Sequence, residues 1–164
     1  LAAVGKFAWS DIPIYALGQM LGAMLGALVL WITYRQHFDV TTDPDMQLAA
    51  FCTGPAIRNP FYNIVTEAVG TFMLVFGVMM IVSPQASLGA LDALPVALLL
   101  FGIGLSLGGP TGFAVNPARD LGPRIMHAIL PMTNKRDSDW GYAYVPVVGG
   151  ILGGLIAAVV YSML

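Results

Sequence analysis

A short glycine- and proline-rich segment, residues 108–112, interrupts an apolar stretch and is followed by Asn116-Pro117-Ala118-Arg119-Asp120. Asparagine is a favoured helix N-cap and proline a favoured first helical residue, so the sequence predicts a backbone break at 108–112 and a helix over Pro117–Leu130. That helix would be about 21 Å long, too short for a hydrocarbon core of about 30 Å. Non-helical backbone at membrane depth occurs only where protein or a wet cavity satisfies its polar groups. The segment therefore predicts a re-entrant half-helix that faces a polar pathway.

The composition indicates an integral membrane protein. The 164 residues are 57% hydrophobic and only 10% charged, whereas soluble domains carry roughly 25% charged residues. A membrane-spanning helix needs about 20 apolar residues. Four stretches meet this length: Ile12–Tyr34, Phe61–Val82, Leu91–Gly109 and Tyr142–Met163. The sequence therefore predicts an all-α membrane protein with four spanning helices and one half-helix.

Charge and cysteine content exclude several other classes of protein. A net charge of −2 provides no basic face for nucleic acid. The single Cys52 rules out an intrachain disulfide and a cysteine-based metal cluster, and neither His37 nor His127 has a metal-ligand spacing, so we expect no metal and no cofactor. The first residues lack a signal-peptide pattern, and the initial Leu1 predicts that part of a longer protein precedes it.

Two of the predicted spans resemble each other at an offset of 131 residues. This offset aligns Trp9 with Trp140, and it also aligns glycines of the two spans: Gly18 with Gly149 and Gly22 with Gly153. Internal repeats in membrane proteins indicate two related halves, often inverted, that meet near the midplane. We expect residues 1–60 to end the first repeat and residues 61–164 to form the second. Both helices carry glycines at i, i+4 steps, which favours close helix packing.

Asn116 is predicted to play two roles at the start of the half-helix. Its side-chain oxygen would accept a hydrogen bond from its own helix, leaving the amide NH2 free to donate into a lumen. Pro117 has no N–H to lose at the first helical position. The helix N-terminus adds about half a positive charge, which favours a hydroxyl oxygen and repels cations. These features predict a pore-lining helix end, although an ordinary helix cap is the alternative.

Arg119 is the only cation within residues 90–121. A membrane-embedded arginine costs a few kcal/mol, which makes it a functional candidate by default. A structural pair with Asp120 is the alternative, but adjacent residues point in different directions on a helix. Asp120 and Arg124, four residues apart, form the more natural pair. We therefore predict that Arg119 lines the pathway.

The residues before the cap and one buried acid complete the predicted site. Gly112, Phe113 and Ala114 lie in irregular backbone, so their carbonyls could accept hydrogen bonds from a solute. Phe113 would supply an apolar wall or simply pack in the core. Glu67 is the only charge in Phe61–Val82; it is either a proton relay or, as we favour, an acceptor for loop amides at 111–115.

These motifs resemble the major intrinsic protein (aquaporin) family and, within it, the bacterial glycerol uptake facilitators, the aquaglyceroporins. The resemblance rests on residues 108–124, Gly-Gly-Pro-Thr-Gly-Phe-Ala-Val-Asn-Pro-Ala-Arg-Asp-Leu-Gly-Pro-Arg, and extends over essentially the whole chain. Asp120 marks the glycerol-conducting branch, where water-only channels usually have serine. By the same resemblance, Gly104, Phe113 and Arg119 match the selectivity filter, and Gly112, Ala114, Asn116, Pro117 and Ala118 match pore-lining positions. Glu67 and Asp120 would support them.

The resemblance implies an inverted-repeat bundle of six spans and two half-helices, assembled as a homotetramer in the plasma membrane. Here it implies four spans, one complete half-helix and, at residues 1–9, the end of another; the first two spans and the filter tryptophan would be absent. The positive-inside rule makes the loops Arg35–Pro60 and Asn134–Gly141 cytoplasmic, whereas the family places them outside the cell, and we favour the family.

The implied function is passive diffusion of glycerol and small uncharged solutes, with some water. Two alternatives remain open from the residues themselves: a coupled secondary transporter of a small polar solute, and a non-conducting fragment. An intramembrane enzyme is disfavoured, because the sequence shows no nucleophile–base pair and no metal-ligand spacing.

Overall fold

Long apolar helices dominate the fold. The computed structural model describes residues 1–81 and 89–164. Its helices are α1 (Ile12–Thr33), α2 (Arg35–Val40), α3 (Pro44–Ala49), α4 (Pro60–Ile81), α5 (Leu94–Thr111), α6 (Pro117–Ile129) and α7 (Tyr144–Ser162). Single 3-10 turns cover Ala2–Val4, Trp9–Asp11 and Gly89–Leu91.

Four helical segments are long and apolar enough to cross a membrane: Trp9–Thr33, Pro60–Ile81, Gly89–Thr111 and Tyr144–Ser162. They coincide with the four predicted spans to within a few residues, and the protein is all-helical over the described residues, as predicted. The predicted end of the second span at Val82 lies outside the described residues. So does most of the predicted connection Ser83–Ala90.

The helix breaks only at Gly112, the last residue of the predicted segment 108–112. Helix α5 continues through Gly108, Gly109 and Pro110 and ends only after Thr111. Gly112 then takes a left-handed conformation with φ 82°, and its N–H donates to the Gly108 carbonyl at 2.9 Å. Pro110 has no N–H to donate to the Ser106 carbonyl, but the bond from Gly112 to Gly108 shows that helical hydrogen bonding resumes beyond it. Continuing the helix also satisfies backbone groups that an earlier break would leave unpaired in an apolar setting.

Glycines bring α7 into backbone contact with α4. A Cβ atom built on Gly149 would lie 2.5 Å from the Glu67 Cβ, and one built on Gly153 would overlap the Ala68 carbonyl oxygen. By contrast, the aligned glycines Gly18 and Gly22 of α1 have open space around the corresponding positions. The predicted close packing is therefore present on α7 but not at these α1 positions among the described residues.

Helix α6 packs on α1 and on the loops beside α1. A Cβ atom at Gly122 would lie 2.8 Å from that of Ala23, so the two helices also approach closely. An apolar cluster extends this contact from α1 through α2 and the loop after α3 to the end of α6: Ala27, Phe38, Phe51 and Leu130. The short turn Ala2–Val4 packs on α7. The contacts with α1 and with the apolar cluster fix the orientation of α6, which carries the candidate site.

Candidate functional site

The start of α6 has the geometry of a side-chain-capped helix. Asn116 adopts extended backbone, and its Oδ1 accepts the Ala118 N–H at 2.8 Å. The other prediction for Asn116 needs correction, because its amide is not left free. Nδ2 donates to Oε1 of Gln19 on α1 at 3.0 Å. An NH2 group carries two hydrogens, so this bond leaves one for a ligand.

The backbone that leads into α6 is held in an unusual conformation. Phe113 has φ 61° and Val115 has φ 46°, a region that side-chain-bearing residues, and β-branched ones above all, rarely occupy. The Glu67 carboxylate accepts the Ala114 N–H at 3.1 Å and the Val115 N–H at 2.8 Å. Glu67 itself is 1% exposed. Two charge-assisted hydrogen bonds thus secure the segment against relaxing to a less strained backbone.

Three of the predicted residues line one cavity of about 430 Å³ between α1 and α6. They are Asn116, Ala118 and Arg119, and Gln19 and Pro123 line the same cavity. Arg119 is exposed and makes no hydrogen bond or ion pair with any part of the chain that the structure describes. Because proline has no N–H, Pro123 leaves the Arg119 carbonyl without its helical partner. The cavity face of α6 therefore offers both donors and an acceptor.

Gly104 and Phe113 meet each other at a second place in the site. A Cβ atom built on Gly104 would lie 3.2 Å from the Cε1 atom of the Phe113 ring. The ring therefore occupies space that a side chain at position 104 would need.

The remaining predicted pore residues differ in exposure. Gly112 is exposed and Ala114 is 1% exposed. Pro117 packs its ring on α7, where a Cβ at Gly150 would lie 3.3 Å from its Cδ.

The opposite face of α6 carries a buried ionic network. Asp120 and Arg124 are both 0% exposed, and the Arg124 Nε lies 2.9 Å from the Asp120 Oδ2. Arg124 makes five hydrogen bonds: two to Asp120, one to the Thr53 carbonyl, and one each to the carbonyls of Ser138 and Asp139. A guanidinium has five N–H donors, so its hydrogen-bonding capacity is matched. The carboxylate is equally occupied, because Thr53 donates to Asp120 Oδ1 through its N–H at 2.8 Å and its hydroxyl at 2.6 Å.

His127 extends the buried face toward the end of α6. It is 0% exposed, its Nδ1 lies 2.8 Å from the Ser138 hydroxyl, and its ring meets Phe51 edge-on. Burial, with a smaller contribution from Lys135, lowers the pKa of this imidazole to about 4. No group of three or more potential metal ligands occurs among residues 1–81 and 89–164. In this setting His127 acts as a neutral packing residue.

Sequence reasoning missed three residues that shape the site. Gln19 binds the Asn116 amide, Thr53 binds Asp120, and Ser138 binds both Arg124 and His127. Gln19 had a detectable signal, since an amide side chain within an apolar span is unusual. Thr53 lies 67 residues from Asp120, and Ser138 lies in a loop 14 residues after Arg124 and 11 after His127. Nothing local in either loop marks these residues.

Comparison with known proteins identifies the family. Residues 1–161 match the family described as Major intrinsic protein. The chain is 51% identical over its full length to a probable glycerol uptake facilitator protein of Thermotoga maritima, covering 70% of that protein. It is 49% identical to the glycerol uptake facilitator protein of Bacillus subtilis, over 99% of this chain and 59% of that protein. The aquaglyceroporin of Plasmodium falciparum superposes with a TM-score of 0.81 at 27% identity, over 98% of this chain and 67% of that chain.

The fold and the site together define a multi-pass membrane protein of a channel-forming class, not of an enzyme class. The chain belongs to the major intrinsic protein family. It spans 59–70% of the length of the two bacterial relatives.

Proposed function

We propose that this chain forms the wall of a plasma-membrane channel through which glycerol and small uncharged solutes, with some water, diffuse passively. The observation that carries the proposal is Arg119, whose guanidinium has no hydrogen bond or ion pair to residues 1–81 or 89–164 and lines a cavity beside the positive end of α6. Relatives with 49–51% identity whose names specify glycerol uptake support the choice of solute.

The chemistry of the site suits a polyol. Glycerol has hydroxyls along one side and C–H groups along the other. Arg119 and the remaining Asn116 hydrogen would donate to hydroxyl oxygens, while the carbonyls of Gly112, Phe113 and Ala114 would accept from hydroxyl hydrogens. The Phe113 ring would contact the carbon edge, and Gly104 gives that ring its space. Fixed donors and acceptors that replace lost hydration are the general basis of pore selectivity.

Further assignments follow from the same proposal. Residues 1–60 would end one repeat and residues 61–164 would form the next, with Pro117 and Ala118 at the start of the pore-lining helix. Glu67 and Asp120 would support the filter without touching the solute. Apolar side chains stay exposed on α5, as at Phe101 (65%) and Leu105 (73%), and would contact lipid or neighbouring subunits in a homotetramer. No catalytic role is assigned to any residue.

A coupled transporter is the second candidate, and the geometry argues against its simplest form. A proton relay through Glu67 needs a carboxylate that exchanges protons with a water pathway. Both Glu67 oxygens instead accept backbone N–H groups, and the side chain is buried. Glycerol flux that saturates at low concentration and follows an imposed proton gradient would favour this candidate.

The test is glycerol flux in liposomes that contain the full-length protein. The double variant Arg119→Val with Phe113→Ala should change the flux of glycerol relative to water, because it removes the donor and the apolar wall. The variant Arg35→Val alters an arginine that pairs with Asp39 away from the cavity and serves as the control. Glycerol flux that is unchanged in the double variant would contradict the assigned filter.

A further inference from the structure

The filter depends on a part of the chain that is distant in sequence. The loop between α3 and α4 runs over residues 50–59. Within it, Thr53 is 5% exposed although it is a polar loop residue. All three of its polar groups are used on α6: its N–H and hydroxyl donate to Asp120, and its carbonyl accepts from Arg124 at 2.7 Å. A loop residue bound this completely holds a fixed position relative to the helix.

The same loop segment also contacts the other side of the filter. A Cβ atom built on Gly112 would lie 3.2 Å from the Thr53 Cβ and 3.5 Å from the backbone N and O of Gly54. Two residues later, the Ala56 N–H donates to the Pro110 carbonyl at 3.0 Å. Residues 53–56 therefore lie directly against the backbone that leads into Phe113.

We propose that Thr53 is a positioning residue that fixes the spacing between the two sides of the filter. One side is the first turn of α6, where Asp120 directly follows Arg119. The other is the segment where Gly112 directly precedes Phe113. This inference rests on the proposed channel function and adds a residue outside the pore that controls its selectivity.

The chemistry makes the Thr53 hydroxyl the sensitive part of the contact. A hydrogen bond to a buried carboxylate at 2.6 Å is short and charge-assisted. Removing the hydroxyl leaves the N–H bond and most of the side-chain volume in place, so the protein still folds. The carboxylate then keeps only the Thr53 N–H as its direct bond to this loop, because Arg124 lies on the same helix as Asp120. The Asp120 turn can therefore shift relative to the loop. Sites of this kind work within about 0.5 Å of their productive geometry.

The experiment compares Thr53→Val with Thr53→Ser in the full-length protein. The readout is the ratio of glycerol to water permeability, measured by light scattering on the same proteoliposomes. Valine should change this ratio about three- to tenfold, the range that corresponds to losing a hydrogen bond of ordinary net strength. Serine keeps the hydroxyl and should stay near the wild-type ratio. Thr66→Val is the matched control, because among the described residues that hydroxyl bonds only the Tyr62 carbonyl of its own helix.

A second readout separates filter positioning from general loop stability. Cys52, next to Thr53, is 3% exposed. Its alkylation by N-ethylmaleimide, read by peptide mass spectrometry, reports loosening of the loop without any flux. A changed glycerol-to-water ratio in Thr53→Val with Cys52 still unreactive supports the proposal. An unchanged ratio, or a changed ratio accompanied by a reactive Cys52, means that the proposal is wrong. Wild-type protein that conducts no glycerol would instead overturn the channel function and the filter with it.

Discussion

The two faces of α6 use the same kinds of residue in opposite ways. Asn116, Arg119 and Pro123 line the cavity, and Arg119 has no partner among the described residues. On the other face, Arg124 and His127 are fully buried, and Arg124 makes five hydrogen bonds. The spacing of three and four residues puts each set on one side of the helix. The comparison shows that α6 exposes Arg119 on one face while Arg124, on the other, anchors the helix to the neighbouring loops.

The largest expected effect is on the buried face. Arg124→Ala should lower the free energy of unfolding by about 3–5 kcal/mol, because it leaves the Asp120 carboxylate buried without its counter-ion. Denaturant titration of the detergent-purified protein measures this. The double variant Arg124→Met with Asp120→Leu removes both charges and should recover much of the loss. If Arg124→Ala costs less than the same change at Arg119, the distinction between the two faces is wrong.

The second-largest expected effect is a loss of stability in acid, caused by a residue on the buried face. Helix α6 lies outside the four spans, and burial lowers the pKa of His127 from 6.5 to about 4. Below about pH 6.5 the imidazole binds a proton in the unfolded chain but not in the folded protein. The free energy of unfolding is therefore largest above pH 6.5 and falls as the pH is lowered toward 4. The loss reaches about 3 kcal/mol at most, since one pKa unit corresponds to about 1.4 kcal/mol.

Melting curves between pH 7 and pH 4 measure this dependence. His127→Gln should flatten it in that interval. His37→Gln provides the matched control, since His37 is exposed, and should leave the pH dependence as it is. An unchanged slope in His127→Gln would mean that another group controls the acid response.

A smaller effect is expected at the start of the cavity face. Asn116→Ala removes the N-cap acceptor for the Ala118 N–H and the bond to Gln19. The loss of a cap costs about 1 kcal/mol. Asn116→Ser restores an N-cap oxygen but not the amide donor, so its stability should lie close to wild type. If serine destabilises as much as alanine, the bond to Gln19, and not the cap, is the stabilising interaction.

The smallest effect on stability is expected at Arg119. Arg119→Val removes no hydrogen bond or ion pair to the described residues, so the free energy of unfolding should change by no more than about 0.5 kcal/mol. The permeability ratio of glycerol to water should nevertheless change. Measured beside Arg124→Val, this variant gives the sharpest contrast between the faces. Destabilisation by Arg119→Val equal to that of Arg124→Val would remove the contrast altogether.

Local signals in the sequence predicted much of this arrangement. The Asn116-Pro117 pair located the start of α6, and the spacing of Asp120 and Arg124 predicted their ion pair. Glu67, as the lone charge in an apolar span, pointed to the loop amides that it contacts. These features were predictable because each depends on residues close in sequence or on a charge in an apolar span, which needs hydrogen-bonding partners nearby.

Long-range partners could not be predicted in the same way. Thr53 meets Asp120 across 67 residues of chain, and Gln19 meets Asn116 across 97. Such pairs depend on how the helices pack, which no local pattern specifies. No local signal confined the break within residues 108–112 to Gly112, because the need to satisfy backbone polar groups outweighs the weak helix propensity of Gly108 and Gly109.

The glycines of α1 and α7 also determine where side chains can be added around the cavity proposed as the channel. Gly149 and Gly153 tolerate no added atoms, because α4 lies directly against them. Gly22 and Gly26 line the cavity, yet a methyl group there meets nothing within 4 Å. Libraries that aim to narrow the conduit for smaller solutes should therefore vary Gly22 and Gly26 and leave the α7 glycines untouched.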